Sequence, residues 1–211
     1  MFKKSSEDRK KESLELLSNM GISVDKDLSA IDTSNISMRS KEEIAKRAVS
    51  CLFAIQASLI DMKDYDYNFY ADKLNKYDIK DSLTQQEKLI FDGKLDKEEL
   101  KLVPWKYESY WTLCWVLGFF SKLSIPDECC DFDKAIDFTF RCNDFEDFIS
   151  RANLIDVEKV LDEYDFTYRL NHLIDDSNKE NDHSILKGIV LERYMALKWV
   201  LYPDANWDIT E

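Results

Sequence analysis

The chain is poor in residues that form tight turns, with only four glycines and three prolines among 211 residues. A fold of many short strands needs a turn roughly every 8–12 residues. The composition therefore predicts an all-α protein. No proline-, glycine- or serine-rich stretch divides the chain, so we expect one compact orthogonal bundle of helices over residues 21–211, preceded by an N-terminal helix or arm over residues 1–20. A short extended segment could lie near residues 21–37.

Local signals predict where several helices begin and end. Ser40 and Thr84 each stand three residues before a glutamate and just ahead of an apolar pattern, which is the spacing of a capping box. Gly93 is placed to end the second of these helices, and Gly21 to end an amphipathic helix over residues 7–19.

The segment that follows Pro104 and continues to Phe120 is dense in aromatic residues and includes three of the five tryptophans. Large aromatic side chains at helical spacing are typical of a central helix that fills the core. The functional alternative is an aromatic cage or stacking surface, for which Lys106 is the only basic residue in the segment.

Hydropathy predicts a cytoplasmic protein without a membrane span. The longest uncharged apolar run, residues 113–120, is far shorter than the ~20 residues that a spanning helix needs. The first residues are basic but lead into further charge, which is not the pattern of a secretory signal. The five cysteines are scattered without a Cys-x-x-Cys pair and predict buried free thiols, not disulfides or a zinc site.

Acidic residues outnumber basic residues by 42 to 29, for a formal net charge of −13. This charge opposes binding to a phosphate backbone, so nucleic acid is not an expected ligand. The excess is concentrated in residues 127–147, where only Lys134 and Arg141 are basic. This region could be a solvated face that aids solubility, or a docking surface for a basic protein partner. The candidate acidic surface comprises Asp127, Glu128, Asp131, Asp133, Asp137, Asp144, Glu146 and Asp147.

A long C-terminal helix is predicted to begin after Asp156 and to end near Ile174. At about 100° per residue it has two apolar faces on roughly opposite sides, one around Tyr164 and one around Leu170. A helix with two apolar faces is expected to be sandwiched between other elements. A polar strip lies between the two faces and consists of Asp162, Asp165, Arg169 and His172.

The last predicted helix, about residues 184–201, is apolar over most of its surface but contains Glu192 and Arg193. Neither residue lies on an evident solvent face. Because an unpaired buried charge costs roughly several kcal/mol, we predict that both residues pair with charges on other elements. The candidate partners are Asp162, Glu163, Arg169, Arg39 and Arg47.

Several short motifs follow one another in a specific order. They are Arg39-Ser40-x-Glu42-Glu43, residues 111–118, Leu161-Asp162-Glu163, Tyr168-Arg169 with His172, Val190-x-Glu192-Arg193, Trp199 and Trp207-Asp208. In this order they resemble the bacterial domain of unknown function 4272 family, from about residue 21 onward. The chain departs from the family pattern at Leu173 and Lys198, where tryptophan and asparagine are usual. The resemblance implies a compact helical fold and no particular activity.

The charged residues of the two C-terminal helices support two interpretations. The candidate polar cluster is Asp162, Glu163, Asp165, Arg169, His172, Glu192 and Arg193. In a small-molecule hydrolase, Asp162 or Asp165 would act as general base beside His172, and an arginine would stabilise developing negative charge. In the alternative, the cluster is a buried polar network that joins helices.

Other signals of catalysis are incomplete. The sequence has no Gly-rich phosphate loop and no serine in a nucleophile elbow. The Glu-x-x-His spacing of a di-metal helix bundle occurs once, at Glu180 and His183, so we expect no metal and no cofactor. The sequence therefore favours a non-catalytic binding protein, such as an inhibitor or immunity-type partner of a basic protein, with the small-molecule hydrolase as the alternative.

Overall fold

The computed structural model describes residues 4–60, 67–175 and 185–208, and these residues form helices and no β-strand, which confirms the predicted all-α, multi-helix fold. Within them, no helix is both long enough and apolar enough to cross a membrane. The α-helices are α1 (Ser6–Asn19), α2 (Lys41–Ser58), α3 (Tyr67–Lys76), α4 (Gln85–Phe91), α5 (Lys97–Leu102), α6 (Lys106–Val116), α7 (Phe132–Phe140), α8 (Phe145–Arg151), α9 (Val157–Asp175) and α10 (Lys187–Leu201), with single 3₁₀ turns at Lys80–Ser82 and Val103–Trp105.

Two helices begin at the predicted capping boxes. The Ser40 hydroxyl accepts a hydrogen bond from the backbone N–H of Glu43, whose carboxylate accepts one from the N–H of Ser40. Thr84 and Glu87 form the same reciprocal pair at the start of α4. Each box satisfies N–H groups that have no partner within the helix, so both predicted helix starts are confirmed.

The core is built around α6, which packs against α2 and α10. In α2, every residue from 44 to 55 is buried except Lys46, and in α6 the whole of 107–116 is buried. The Trp111 ring stacks on Phe120 with ring centroids 4.2 Å apart. The aromatic segment therefore fills the core, as its composition predicted.

The helix α9 lies between two clusters of apolar side chains, which confirms the predicted sandwich. On one face, Tyr164 belongs to the main core and stacks on Tyr194 of α10, with ring centroids 5.6 Å apart. On the opposite face, Leu170 belongs to a second cluster that includes Leu17 of α1 and Ile22. Because this cluster needs side chains from both helices, α1 packs directly against α9.

Residues 21–40 connect α1 to α2 and contain neither helix nor strand. The end of this connection is attached to the C-terminus of α10, where the N–H of Ser37 donates to the carbonyl of Leu201 at 3.0 Å. The Arg39 Nε donates to the carbonyl of Trp199 at 2.8 Å. These bonds satisfy carbonyl groups that the last turn of a helix leaves without partners.

The cysteines are free thiols, as predicted, but they are not all buried. Cys129 is exposed, whereas its neighbour Cys130 in the same connection before α7 is buried. Desolvation by burial raises the pKa of the Cys51, Cys114 and Cys130 thiols. A raised pKa keeps a thiol protonated and therefore weakly nucleophilic.

The helix α6 ends at Val116, and the expectation that it continues to Phe120 was wrong. Gly118 has a φ of 77°, a left-handed conformation that glycine adopts without steric cost. Its N–H donates to the carbonyl of Trp115, and the next N–H donates to the carbonyl of Cys114. This is a Schellman ending, and the apolar residues on both sides of Gly118 hid it in the sequence.

Gly118→Ala should destabilise the protein much more than Gly21→Ala. Both glycines have left-handed φ values, 77° and 76°, so either alanine costs about 1 kcal/mol. A Cβ at Gly118 would also lie 2.1 Å from the backbone oxygen of Asn153, whereas a Cβ at Gly21 meets nothing within 4 Å. We expect Gly118→Ala to lower the free energy of unfolding by about 3 kcal/mol in urea denaturation. Equal losses in the two variants would contradict this account.

Candidate functional site

The structure does not gather the predicted polar cluster into one place. Its members lie in separate places. Asp162 lies at the contact of α1 with α9, Asp165 and Arg169 pair within α9, and Glu192 and Arg193 lie against α6. Glu163 lies beside a cavity, and His172 is exposed to solvent. Within the described residues, the polar strip of α9 therefore passes from a partly exposed end through a buried middle to an exposed end.

The partner of Asp162 is Arg9, a buried residue of α1. The Arg9 Nε donates to Asp162 Oδ1 at 2.8 Å and its Nη2 donates to Glu158 Oε2 at 2.7 Å. Lys4 Nζ reaches the other oxygen of Asp162 at 2.9 Å. Sequence analysis missed Arg9. The buried residues of α1 are Arg9, Ser13 and Leu17, which are spaced four residues apart and therefore share one face of the helix.

Asp165 and Arg169 form an ion pair within α9. The Arg169 Nε and Nη2 donate to the two carboxylate oxygens of Asp165 at 2.8 and 2.9 Å, and both side chains are almost completely buried. The Arg169 Nη1 donates to the carbonyl of Leu28 at 3.4 Å, which ties the α1–α2 connection to α9. Both oxygens of Asp165 are therefore engaged by one guanidinium.

Glu192 is bound to the first turn of α6. Its Oε2 accepts a hydrogen bond from the Ser109 hydroxyl at 2.6 Å and lies 3.3 Å from Lys106 Nζ. The same hydroxyl lies 3.0 Å from the backbone oxygen of Glu192. The carboxylate is thus held between a cation and a hydroxyl where α10 crosses α6.

Arg193 is bound to the same turn of α6 through Glu108. The Arg193 Nη2 lies 3.4 Å from Glu108 Oε2, and its Nη1 donates to the carbonyl of Ser124 at 2.6 Å. The other oxygen of Glu108 accepts from the N–H of Cys130 at 2.5 Å. Both charged side chains are at most 2% exposed, so this is a fully desolvated pair with additional hydrogen bonds on each side.

Glu192 and Arg193 are therefore paired, but their ion pairs in the described structure are not with the predicted candidates, although the charge of Arg193 does act on the Glu163 carboxyl. Both ion pairs go to α6, through Lys106 and Glu108. Arg47 instead pairs with Glu87, and Arg39 donates to carbonyls at the end of α10. Lys106 and Glu108 could have been found in the same way as Glu192 and Arg193, because they too are charged residues within an apolar helical segment.

His172 is exposed, and its ring contacts the edge of Tyr168 with ring centroids 5.0 Å apart. In the described part of the chain no hydrogen bond joins it to Asp162 or Asp165, and both oxygens of Asp165 instead accept hydrogen bonds from Arg169. Among the described residues, no group of three or more histidine, cysteine, aspartate or glutamate side chains could hold a metal ion. Glu180 and His183 lie outside those residues.

A cavity of about 680 Å³ lies beside Glu163, between α1, α9 and the residues that follow α6. We call it the α1 cavity. Its charged lining includes Arg9, Lys122 and Asp162. Its apolar lining consists of Leu16, Met20, Trp115, Leu123, Ile125 and Phe166. Sequence analysis did not find it, because its walls come from segments far apart in the chain.

The fold moves the pKa of the Glu163 carboxyl into the neutral range. Desolvation by burial raises the pKa of Glu163 to about 7, although the charges of Arg193 and Lys122 and a hydrogen bond with Thr167 act in the opposite direction. The carboxyl group can therefore gain or lose a proton near neutral pH.

The candidate acidic surface lies on α7, α8 and the connections before them, and all eight acids are exposed or partly exposed. Some of them have local structural roles. Asp131 and Asp144 cap the N-termini of α7 and α8, and Asp137 and Asp147 pair with arginines one turn further on. The acids that remain exposed without such a role in the described structure are Asp127, Glu128, Asp133 and Glu146.

A second, smaller cavity of about 160 Å³ adjoins this surface. It is lined by Pro104, Trp105, Glu108, Cys129 and Phe132, and we call it the apolar pocket. Two of its aromatic side chains are unusually exposed for their size, with 40% of Trp105 and 45% of Phe132 accessible to solvent.

One protein family, described as Domain of unknown function (DUF4272), has a model that matches residues 9–210. The chain belongs to this family. The family resemblance that the motif order predicted is thus confirmed, and it begins in α1, earlier than the predicted residue 21. No curated protein and no solved structure matches the chain.

In this DUF4272 protein, Glu108→Ala should be strongly destabilising. The substitution leaves Arg193 buried without its carboxylate, and breaking a buried pair from one side costs about 3–5 kcal/mol. Glu98→Ala is the matched control, because Glu98 pairs with Lys101 on the exposed side of α5 and should contribute little. Urea denaturation measures both, and comparable losses would show that the buried pair is not structural.

Glu163→Gln should make the stability of this DUF4272 protein less dependent on pH. The folded protein holds the Glu163 proton up to about pH 7, whereas the ordinary value is 4.5, so this group's contribution to stability falls as pH rises between them. Glutamine mimics the protonated side chain, and the variant should therefore be more stable than the wild type above pH 7. Denaturation across this pH range tests it, with the exposed Glu15→Gln as control. A parallel pH profile in wild type and Glu163→Gln would refute the assignment.

Proposed function

We propose that this DUF4272 protein is a non-catalytic binding protein whose acidic surface docks a basic protein. The observation that carries the proposal is the position of the apolar pocket within that surface. Cys129 and Phe132, which line the pocket, are direct chain neighbours of Glu128, Asp131 and Asp133. An apolar anchor point thus has exposed acids next to it in the chain.

This combination is what a protein interface requires. Interfaces have an apolar centre that contributes much of the affinity and a polar rim that contributes orientation and specificity. Exposed Trp105 and Phe132 can supply the centre, with room for one apolar side chain of the partner between them. The surrounding carboxylates attract a positively charged partner and accelerate its association.

The contacts of the polar residues also favour binding over catalysis. Asp165 is held by Arg169 through both oxygens, and Asp162 is held by Arg9 and Lys4. These carboxylates would have to leave their cations before they could act as a general base. Inhibition of a basic protein, as by an immunity-type partner, is one concrete form of the proposed role.

Charge reversal on the acidic surface should abolish the interaction. We expect affinity capture from the native host at low salt to enrich a basic protein, and the purified partner to bind with an affinity that falls as salt increases. Replacing Asp127, Glu128, Asp133 and Glu146 with lysine should remove binding. The matched control replaces four exposed acids outside the surface, Glu7, Asp72, Asp81 and Asp204, which changes net charge equally.

A second variant tests the apolar anchor independently of charge. Phe132→Ala should weaken binding of the purified partner about tenfold at every salt concentration. Leu59→Ala, at another exposed apolar residue, should leave binding unchanged. Three outcomes contradict the proposal: no basic protein is enriched, the control set weakens binding as much as the surface set, or the wild type hydrolyses a compound in a substrate screen and His172→Ala does not.

A further inference from the structure

We infer that the α1 cavity is a binding site for a small amphipathic carboxylate. This site is distinct from the acidic surface and does not depend on the proposed protein partner. Arg9, Trp115 and Phe166 each line the cavity and come from three different helices, α1, α6 and α9. The cavity is therefore formed only when α1 is packed against α9.

Two buried hydrogen-bond donors on its walls have no acceptor in the described structure. They are Nη1 of Arg9 and Nε1 of Trp115, on side chains that are 2% and 5% exposed. The other two guanidinium nitrogens of Arg9 are engaged by Asp162 and Glu158. A buried N–H without an acceptor is costly and uncommon in folded proteins. A ligand oxygen that reached Arg9 or Trp115 from the cavity would satisfy one or both donors.

The rest of the cavity suits an apolar body. Its size of about 680 Å³ lies within the range of small-molecule sites, roughly 300–1,000 Å³. Leu16 and Ile125 both line the cavity and remain 51% and 46% exposed, so the fold leaves apolar surface of the lining uncovered. Phe166 of α9 adds an aromatic side chain to the lining.

The charges favour an anion over a cation. Lys122 and Lys159 line the cavity, and the charge of Lys122 acts on the Glu163 carboxyl. Two of the acids in the lining, Glu12 and Asp162, are already bound by Lys4. Glu163 is largely protonated below pH 7, because burial raises its pKa, and in that form it can donate a hydrogen bond to a carboxylate. An amine would place its own donors against the unsatisfied N–H groups of Arg9 and Trp115 and would leave them unpaired.

Octanoate is a suitable probe, compared with 1-octanol and octylamine as head-group controls of the same chain length. We expect isothermal titration calorimetry to show saturable octanoate binding, and thermal denaturation to show a matching rise in Tm. Octanol and octylamine should bind at least about tenfold more weakly, since neither supplies the charged acceptor.

Two variants locate the site. Trp115→Phe keeps an aromatic side chain and removes the N–H, so it should weaken octanoate binding about tenfold. Because it also removes volume from a buried position, its Tm should fall, and binding is measured at a temperature where the variant is folded. Leu16→Glu places a carboxylate at the exposed mouth and should abolish binding, whereas Leu59→Glu, at a similarly exposed leucine, should leave it unchanged. Since Leu16 is exposed, this variant keeps the test valid even if Trp115→Phe fails to fold.

The proposal is overturned if octanoate does not bind, if octylamine binds as tightly, or if a folded Trp115→Phe or Leu16→Glu protein retains wild-type affinity.

Discussion

Charges buried inside apolar helices can persist only where another helix supplies the opposite charge, and this requirement determines how the helices of the protein meet. Glu192 and Arg193 are neighbours on α10, and their partners Lys106 and Glu108 are close together on the first turn of α6. Apolar contacts alone would tolerate sliding or rotation of one helix on another. Two adjacent pairs that must both form leave one register in which neither charge is stranded.

The same constraint attaches α1. Its buried Arg9 is neutralised by Asp162 and Glu158 on one side of α9, while Leu17 packs into the second apolar cluster further along. These two contacts fix both ends of α1 on α9 and leave the α1 cavity open against the residues that follow α6. Arg9 and Trp115, which carry the unsatisfied nitrogens, both line that cavity, so a residue of the ion-pair network that holds the helix is also part of the cavity wall.

Much of the fold could be predicted because it depends on interactions within a few residues. The capping boxes at Ser40 and Thr84 are local hydrogen bonds, and the two apolar faces of α9 follow from its own periodicity. The end of α6 was missed because Gly118 stands in a continuous apolar run, so hydropathy outweighed the glycine. The candidate site was predicted less well. Asp162 and His172 lie on the same strip of α9, but Arg9 of α1 binds Asp162 whereas His172 is exposed, and the periodicity of α9 does not encode this difference.

The sequence by itself determined that the protein is helical, where several helices begin, that α9 is covered on two sides and that Glu192 and Arg193 need partners. These properties depend on residue type and spacing along one segment. Only the tertiary structure decided which partners they have, that Arg9 is buried while His172 is exposed, and that Trp105 and Phe132, from separate segments, line one apolar pocket. The physical reason is that burial and charge pairing are set by side chains brought together from distant segments, and no local pattern encodes which segments those are.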